Sequence, residues 1–143
     1  MNGQQDKPIF YPPGGLLVSI DPQADRRSPI VTMQRHEYHS GGFSVVVPAG
    51  FRCDLASVPR LLRLLFSPFG LHQRAGCFHD VCYRVQHCRR FQADALFRSI
   101  MYDDRVPMLK RLTLYWGVRI GGWVAWRRNA EHVAKFRELL DAK

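Results

Sequence analysis

The sequence predicts an α+β domain in which a small antiparallel sheet precedes a bundle of about four to five helices. Short runs of β-branched and aromatic residues, separated by proline and glycine turns, occupy residues 16–53. From Asp54 onward, apolar residues recur at helical spacing. The chain has 143 residues, of which 46% are hydrophobic, so it can bury one core. We therefore expect a single domain over residues 1–143.

Four short strands are expected in the sheet, which spans residues 16–53. They follow an irregular arm over residues 1–15 that is rich in proline and glycine. Asp21-Pro22 is a turn signal that ends the first strand, and Pro48-Ala49-Gly50 ends the third. The predicted strands are Leu16–Ile20, Ile30–Met33, Gly42–Val47 and Phe51–Cys53.

The helical part is expected to fill residues 54–143. Ser57 is a suitable N-cap for the first helix, which continues to about Phe66, and Pro59 suits its first turn. Ser67-Pro68-Phe69-Gly70 then ends this helix. The remaining helices are predicted over residues 72–86, 90–102, 107–126 and 130–140.

The chain is strongly basic, with a formal net charge of +9 and a pI near 10.0. Most of the cations are arginines, which bind phosphate and carboxylate groups through paired hydrogen bonds. Anionic lipid, nucleic acid without sequence preference and other proteins are therefore the expected partners. The alternative is a basic surface that serves only solubility.

No transmembrane segment or signal peptide is expected. A spanning helix needs about 20 apolar residues. The longest apolar stretch, residues 112–126, is shorter and contains Arg119. The first eight residues are polar and lack the apolar run of a signal peptide.

The four cysteines are expected to be free thiols, because no export signal points to an oxidising compartment. Three of them lie near a histidine, which raises the question of a zinc site. Their spacing does not match paired C-x₂-C knuckles, and on a helix the side chains would face several directions. A zinc site is therefore not favoured for Cys77, Cys82, His87 and Cys88.

The candidate functional residues are a histidine and an aspartate that adjoin each other in an otherwise apolar helix, followed by an aspartate on the next helix. Burying such groups is costly unless they pair. A short connection would make the two helices antiparallel neighbours, so that Asp94 could reach His79. A carboxylate on one imidazole nitrogen fixes the tautomer and makes the other nitrogen a general base.

The adjoining aspartate points elsewhere, because successive residues on a helix are about 100° apart. Asp80 and Asp54 would then be available to hold a hard cation through oxygen, for which Ca²⁺ or Mg²⁺ is suited. Such a cation would polarise a carbonyl or phosphoryl oxygen while His79 activates water. Asp54 has an alternative role in the turn before Ser57.

Two motifs together resemble the phage and prophage family called domain of unknown function 1353. The first is Gly50-Phe51-Arg52-Cys53-Asp54-Leu55-Ala56-Ser57-Val58-Pro59-Arg60, and the second is His79-Asp80-Val81-Cys82-Tyr83. The resemblance covers roughly residues 16–126. It implies a bacteriophage or prophage origin, and with it the host bacterial cytoplasm or the virion as the location. It implies no activity.

A second, more local resemblance is to the secreted and parvoviral phospholipases A2. It is carried by His79-Asp80-x-x-Tyr83 on one helix and Ala93-Asp94-x-x-Phe97 on the next. It implies that His79 is the general base, that Asp80 binds Ca²⁺ and that Asp94 orients the histidine. Tyr83 would help to hold Asp94. The glycine-rich calcium loop of those enzymes is absent upstream of His79.

The sequence therefore leaves two functions open. One is a metal-dependent hydrolase of anionic phospholipid that uses the His-Asp site. The other is a non-enzymatic virion, tail or assembly protein in which the same residues lock two helices together. A stripe formed by Trp116, Trp123 and Trp126 is expected to lie in the core, and a lipid-facing surface is the alternative for it.

Overall fold

A computed structural model describes residues 9–11, 18–20, 30–53, 71–130 and 132–133. It confirms the α+β class, with strands first and helices after them. The strands are β1 (Ile9–Tyr11), β2 (Val18–Ile20), β3 (Ile30–Thr32), β4 (His36–Ser40), β5 (Phe43–Val47) and β6 (Arg52–Cys53). The helices are α1 (Gln73–Val85), α2 (Arg90–Asp103) and α3 (Met108–Ala130). The helix predicted from Ser57 and most of the predicted last helix lie outside the described residues.

The strands form two antiparallel three-stranded sheets rather than the single sheet expected. One has the order β1-β4-β5 and the other β2-β3-β6. The prediction of an irregular arm over residues 1–15 is wrong where β1 lies, because β1 pairs with β4 in a register that places Phe10 opposite Tyr38. The sequence of β4 is mostly polar and β1 has only three residues, so neither strand carries a strong local signal.

The β4–β5 hairpin turns on Gly41 and Gly42, whose φ angles are 55° and 75°. Two successive positive φ values are typical of the tight turn that suits the twist of a two-residue hairpin. On β4, His36 and Tyr38 are buried while Glu37 and His39 point outward. The Tyr38 hydroxyl donates a 2.8 Å hydrogen bond to Asp103, which fixes the hairpin against the end of α2.

Helix α1 is the central element of the helical part, since ten of its thirteen residues are buried. It ends at Gln86, which has φ 51° and donates its backbone N–H to the Cys82 carbonyl at 2.9 Å. Helix α2 begins only four residues after α1 ends, and Arg89 N–H donates to Gln92 Oε1 at 2.8 Å across its first turn. This short connection makes α1 and α2 neighbours, as the sequence predicts.

A disulfide joins Cys53 on β6 to Cys77 on α1, with the two Cα atoms 5.3 Å apart. The expectation that all four cysteines are free is therefore wrong for this pair. The two cysteines are 24 residues apart in sequence and meet only through the packing of the second sheet against α1. Cys82 and Cys88 are free, as expected.

The tryptophan stripe on α3 divides between the core and the surface. Trp126 packs against the core, as predicted. The prediction is wrong for Trp116 and Trp123, which are 58% and 50% exposed. None of the described helices is both long enough and apolar enough to cross a membrane.

Candidate functional site

The expected contact between the first two helices is present at the centre of the molecule. Nε2 of His79 on α1 lies 2.8 Å from Oδ1 of Asp94 on α2. The two side chains are 1% and 0% exposed. An unpaired charge at this depth would cost several kcal/mol. The stability of a charged Asp94 at this depth therefore depends on the groups that bond to its carboxylate.

Asp94 is the acceptor for groups on each of the three described helices. Tyr83, one turn after His79 on α1, donates its hydroxyl to the same Oδ1 at 2.7 Å. Arg119 on α3 donates to Oδ2 at 2.8 Å, and Arg90 on α2 approaches Oδ2 at 3.4 Å. Burial acts to raise the pKa of Asp94, but the hydrogen bonds from His79, Tyr83 and Arg119 outweigh it and hold the pKa below its usual value.

The ionised carboxylate determines the tautomer of His79. A carboxylate can only accept hydrogen bonds, so Nε2 of His79 carries the proton and Nδ1 carries the lone pair. Burial lowers the pKa of His79, and the bond to Asp94 only partly opposes this. The imidazole is therefore neutral at neutral pH, which is the protonation state that a general base requires.

Aromatic rings fix the orientation of the imidazole. The ring centroids of Tyr83 and Phe97 lie 4.2 Å and 4.9 Å from that of His79. Trp126 meets the Tyr83 ring edge-on at 5.0 Å. Burial and the neighbouring Asp94 carboxylate raise the pKa of Tyr83, so its hydroxyl stays protonated as a donor. Together these contacts restrict both χ angles of His79 and hold Tyr83 in place.

Only one of the two proposed calcium ligands lies in the part of the chain that the structure describes. Asp80 is buried one residue after His79, and Asp54 lies outside the described residues. Calcium takes six to eight oxygen ligands. The described residues contain a group of three close His, Cys, Asp or Glu ligand atoms, but it consists of Cys82, His87 and Cys88. These residues do not fit calcium, so we derive no chemical step through that ion.

Three residues of the site were not identified from the sequence as functional. Arg90 is four residues before Asp94 on α2, a spacing that favours an ion pair and could have revealed it. Arg119 interrupts an apolar stretch, which is itself a sign of a buried partner. Gly122 lies under the Tyr83 ring, a contact that no local pattern in the sequence indicates.

Gly122 allows the close approach of α3 to Tyr83. A Cβ at this position would lie 2.5 Å from the Tyr83 hydroxyl oxygen. In an unconstrained helix, glycine to alanine stabilises by about 1 kcal/mol. Here we expect Gly122→Ala to lower the free energy of unfolding by about 1–3 kcal/mol, because the new methyl group overpacks the buried ring. Urea denaturation measures the difference.

A double-mutant cycle with Tyr83→Phe tests whether the hydroxyl causes this loss. Removing the oxygen leaves ring carbons 3.3 Å from the added Cβ. Gly122→Ala should then cost at least about 1 kcal/mol less than in the wild type, as coupled neighbours do. Additive effects of the two substitutions would show that Gly122 does not act through the Tyr83 hydroxyl.

The comparisons with known proteins are consistent with the first of the two sequence resemblances. Residues 31–118 match the family described as "Protein of unknown function (DUF1353)". Curated proteins and solved structures gave no match. The matched segment contains His79, Tyr83 and Asp94 but ends one residue before Arg119. Because the match covers more than half of the chain, the protein belongs to the DUF1353 family.

Proposed function

We propose that this protein is a hydrolase in which His79 is the general base and Asp94 positions it, as the local resemblance to phospholipases A2 implies. The observation that supports this proposal is the 2.8 Å contact between His79 Nε2 and Asp94 Oδ1, with Tyr83 bonded to the same oxygen. With Nε2 bonded to the carboxylate, Nδ1 is the nitrogen that would act as the base. The neutral form of the imidazole is favoured by burial.

In the proposed reaction, Nδ1 of His79 removes a proton from a water molecule while the water oxygen attacks the carbonyl carbon of an ester. The ionised Asp94 stabilises the imidazolium that forms. When the ester bond breaks, the imidazolium returns the proton to the leaving alkoxide, so the enzyme ends unchanged. A positioned base of this kind contributes about 10²–10⁴-fold to a rate.

Anionic phospholipid is the substrate class that the surface of α3 supports. Trp116, Ile120 and Trp123 form an exposed apolar face on this helix. Arg127 and Arg128 continue it at the helix end, where the Arg127 guanidinium lies 5.4 Å from the centre of the Trp123 ring. Exposed aromatic residues next to arginines are typical of helices that lie in the headgroup region of anionic membranes.

The burial of the site favours a second candidate function. His79 is only 1% exposed and Asp94 is fully buried, so an ester can reach Nδ1 only after a local opening. In a non-enzymatic phage virion, tail or assembly protein, the same network would serve to join α1, α2 and α3. This candidate requires no substrate access, and it predicts a loss of stability without any turnover.

The deciding experiment measures fatty-acid release from phosphatidylglycerol vesicles, with Ca²⁺ and with a chelator. For a hydrolase we expect turnover by the wild type and a loss of about 10²–10⁴-fold in His79→Gln. His39→Gln is the matched control, since His39 is exposed on β4 and should leave the rate unchanged. Because the pKa of His79 is lowered, the rate should persist below the pH at which an ordinary histidine becomes protonated.

Each result separates the two candidates. Turnover that His79→Gln abolishes supports the hydrolase, and the difference between the calcium and chelator samples shows whether the reaction needs a divalent cation. No release by the wild type, or equal release by wild type and His79→Gln, contradicts the hydrolase. A lower melting temperature of His79→Gln without turnover supports the structural candidate.

A further inference from the structure

We propose that Cys82, His87 and Cys88 form a binding site for Zn²⁺, separate from the His79–Asp94 pair. Each of the three residues offers one ligand atom, and these atoms all lie within 4.8 Å of one another. The disulfide uses Cys53 and Cys77, so the group contains both free cysteines of the chain.

The end of helix α1 brings these residues together. Cys82 lies in the last turn, and the left-handed conformation of Gln86 ends the helix with an N–H bond to the Cys82 carbonyl. The chain then turns back, so that the next two residues lie beside Cys82 instead of continuing around the helix. The sequence argument against zinc was that side chains at these positions would face several directions on a helix. His87 and Cys88 lie after the end of α1, and their ligand atoms lie close to that of Cys82.

The distances are compatible with a tetrahedral ion after a small adjustment. Zinc binds cysteine sulfur at about 2.3 Å and histidine nitrogen at about 2.0–2.1 Å, which places tetrahedral ligand atoms about 3.3–3.8 Å apart. The ligand atoms therefore need to close by about 1 Å. His87 is exposed, so its side chain can make this movement. Its ring stacks on Phe43, with 5.6 Å between the ring centroids.

The donor set selects a borderline-soft cation. Two thiolates and an imidazole suit zinc, whereas calcium and magnesium prefer oxygen ligands. Three protein ligands leave the fourth tetrahedral position for solvent. His87 also lines a cavity of about 350 Å³ whose walls include Ser44, Val81 and Val85. Water can therefore reach His87 from this side.

Binding releases two protons, one from each thiol, and the neutral imidazole coordinates through its lone pair. The charge of the ion is then balanced by the two thiolates. No oxidant or reductant takes part. The site uses neither His79 nor Asp94, so it can be tested independently of the proposed hydrolase.

The test is a titration of the full-length protein with Co²⁺ and then Zn²⁺ under anaerobic conditions. Cobalt bound by two thiolates gives sulfur-to-metal charge-transfer absorption in the near ultraviolet and the intense visible bands of a tetrahedral ion. We expect both signals at one equivalent, followed by their loss when zinc displaces cobalt. Cys88→Ser and His87→Ala should each weaken zinc binding at least about 100-fold, since second-shell changes alone cost 10–100-fold.

His39→Ala is the control and should bind zinc like the wild type, because His39 is exposed on β4. Cys82 is fully buried and its replacement could unfold the protein, so the test does not depend on it. Absence of the charge-transfer bands, or equal zinc affinity of Cys88→Ser and wild type, would overturn the proposal. The proposal would also be overturned if Cys82 and Cys88 formed a disulfide and the protein bound no cobalt after that disulfide was reduced.

Discussion

Replacing Asp94 with alanine should lower the free energy of unfolding by about 3–5 kcal/mol, the cost of breaking a buried charge network by removing one partner. The substitution leaves the His79 and Tyr83 donors without their acceptor in a fully buried position. It also removes the carboxylate that balances the charge of Arg119. Urea denaturation of the purified variant, with the wild type beside it, measures the loss.

Glu37→Ala is the matched control, because Glu37 also pairs with an arginine and a histidine but lies on the outer face of β4. Exposed pairs of this kind contribute about 0–1 kcal/mol. Asp94→Asn keeps an acceptor oxygen, so its loss in free energy of unfolding should fall between those of Asp94→Ala and Glu37→Ala. This variant still gives a measurement if Asp94→Ala does not fold. A loss of less than about 1 kcal/mol in Asp94→Ala would show that the carboxylate does not hold the helices together.

This prediction does not choose between the two candidate functions, because both place Asp94 at the junction of α1, α2 and α3. A carboxylate that positions His79 in a hydrolase and a carboxylate that joins helices in an assembly protein contribute equally to the free energy of unfolding. Only the reaction of His79 with a substrate distinguishes them.

The helices could be predicted from sequence because their signals are local. The α1 helix was expected over residues 72–86 and α2 over residues 90–102, and both are found within one residue of those limits. Apolar periodicity and the short connection were sufficient for this. The contact of His79 with Asp94 followed from the same spacing, since antiparallel helices place corresponding turns side by side.

Four of the six described strands, β2, β3, β5 and β6, lie within the strands predicted from the sequence. β1 and β4 were not predicted, because they pair with each other over a long separation in sequence and their local signals are weak. The β4 strand has the sequence His-Glu-Tyr-His-Ser, which alternates inward and outward side chains but contains no aliphatic residue. The Gly41-Gly42 pair after it is the local hairpin signal, since both residues have the positive φ that the turn requires. The three-residue β1 depends on pairing with β4, which lies more than twenty residues later in the chain.

The rest of the site depends on how α3 crosses the other two helices. No local pattern fixes that crossing, so Arg119 and Gly122 could not be placed beside Asp94 and Tyr83. The cysteines show the same dependence. Whether Cys77 bonds to Cys53 is decided by the packing of β6 on α1, and whether Cys82 meets Cys88 is decided by the left-handed residue that ends α1.

The disulfide between β6 and α1 should contribute about 3–4 kcal/mol to stability, according to the chain-entropy estimate for a loop of this length. We expect Cys53→Ala/Cys77→Ala to lose about that amount in urea denaturation. The loss arises because the cross-link restricts the unfolded chain more than the folded one. Thiol titration of the denatured wild type without reductant should find two reactive thiols, Cys82 and Cys88.

Cys88→Ser is the control for this measurement, since it removes a free thiol and should leave the cross-link and most of the stability intact. Four reactive thiols in the denatured wild type, together with unchanged stability of the double variant, would contradict the disulfide. Cys77 lies two residues before His79 on α1. Reduction should therefore loosen the helix that carries the imidazole. Because burial lowers the pKa of His79, a buried His79 makes stability fall as the pH drops below the ordinary histidine pKa. Loss of this dependence in the double variant would show that His79 no longer stays buried.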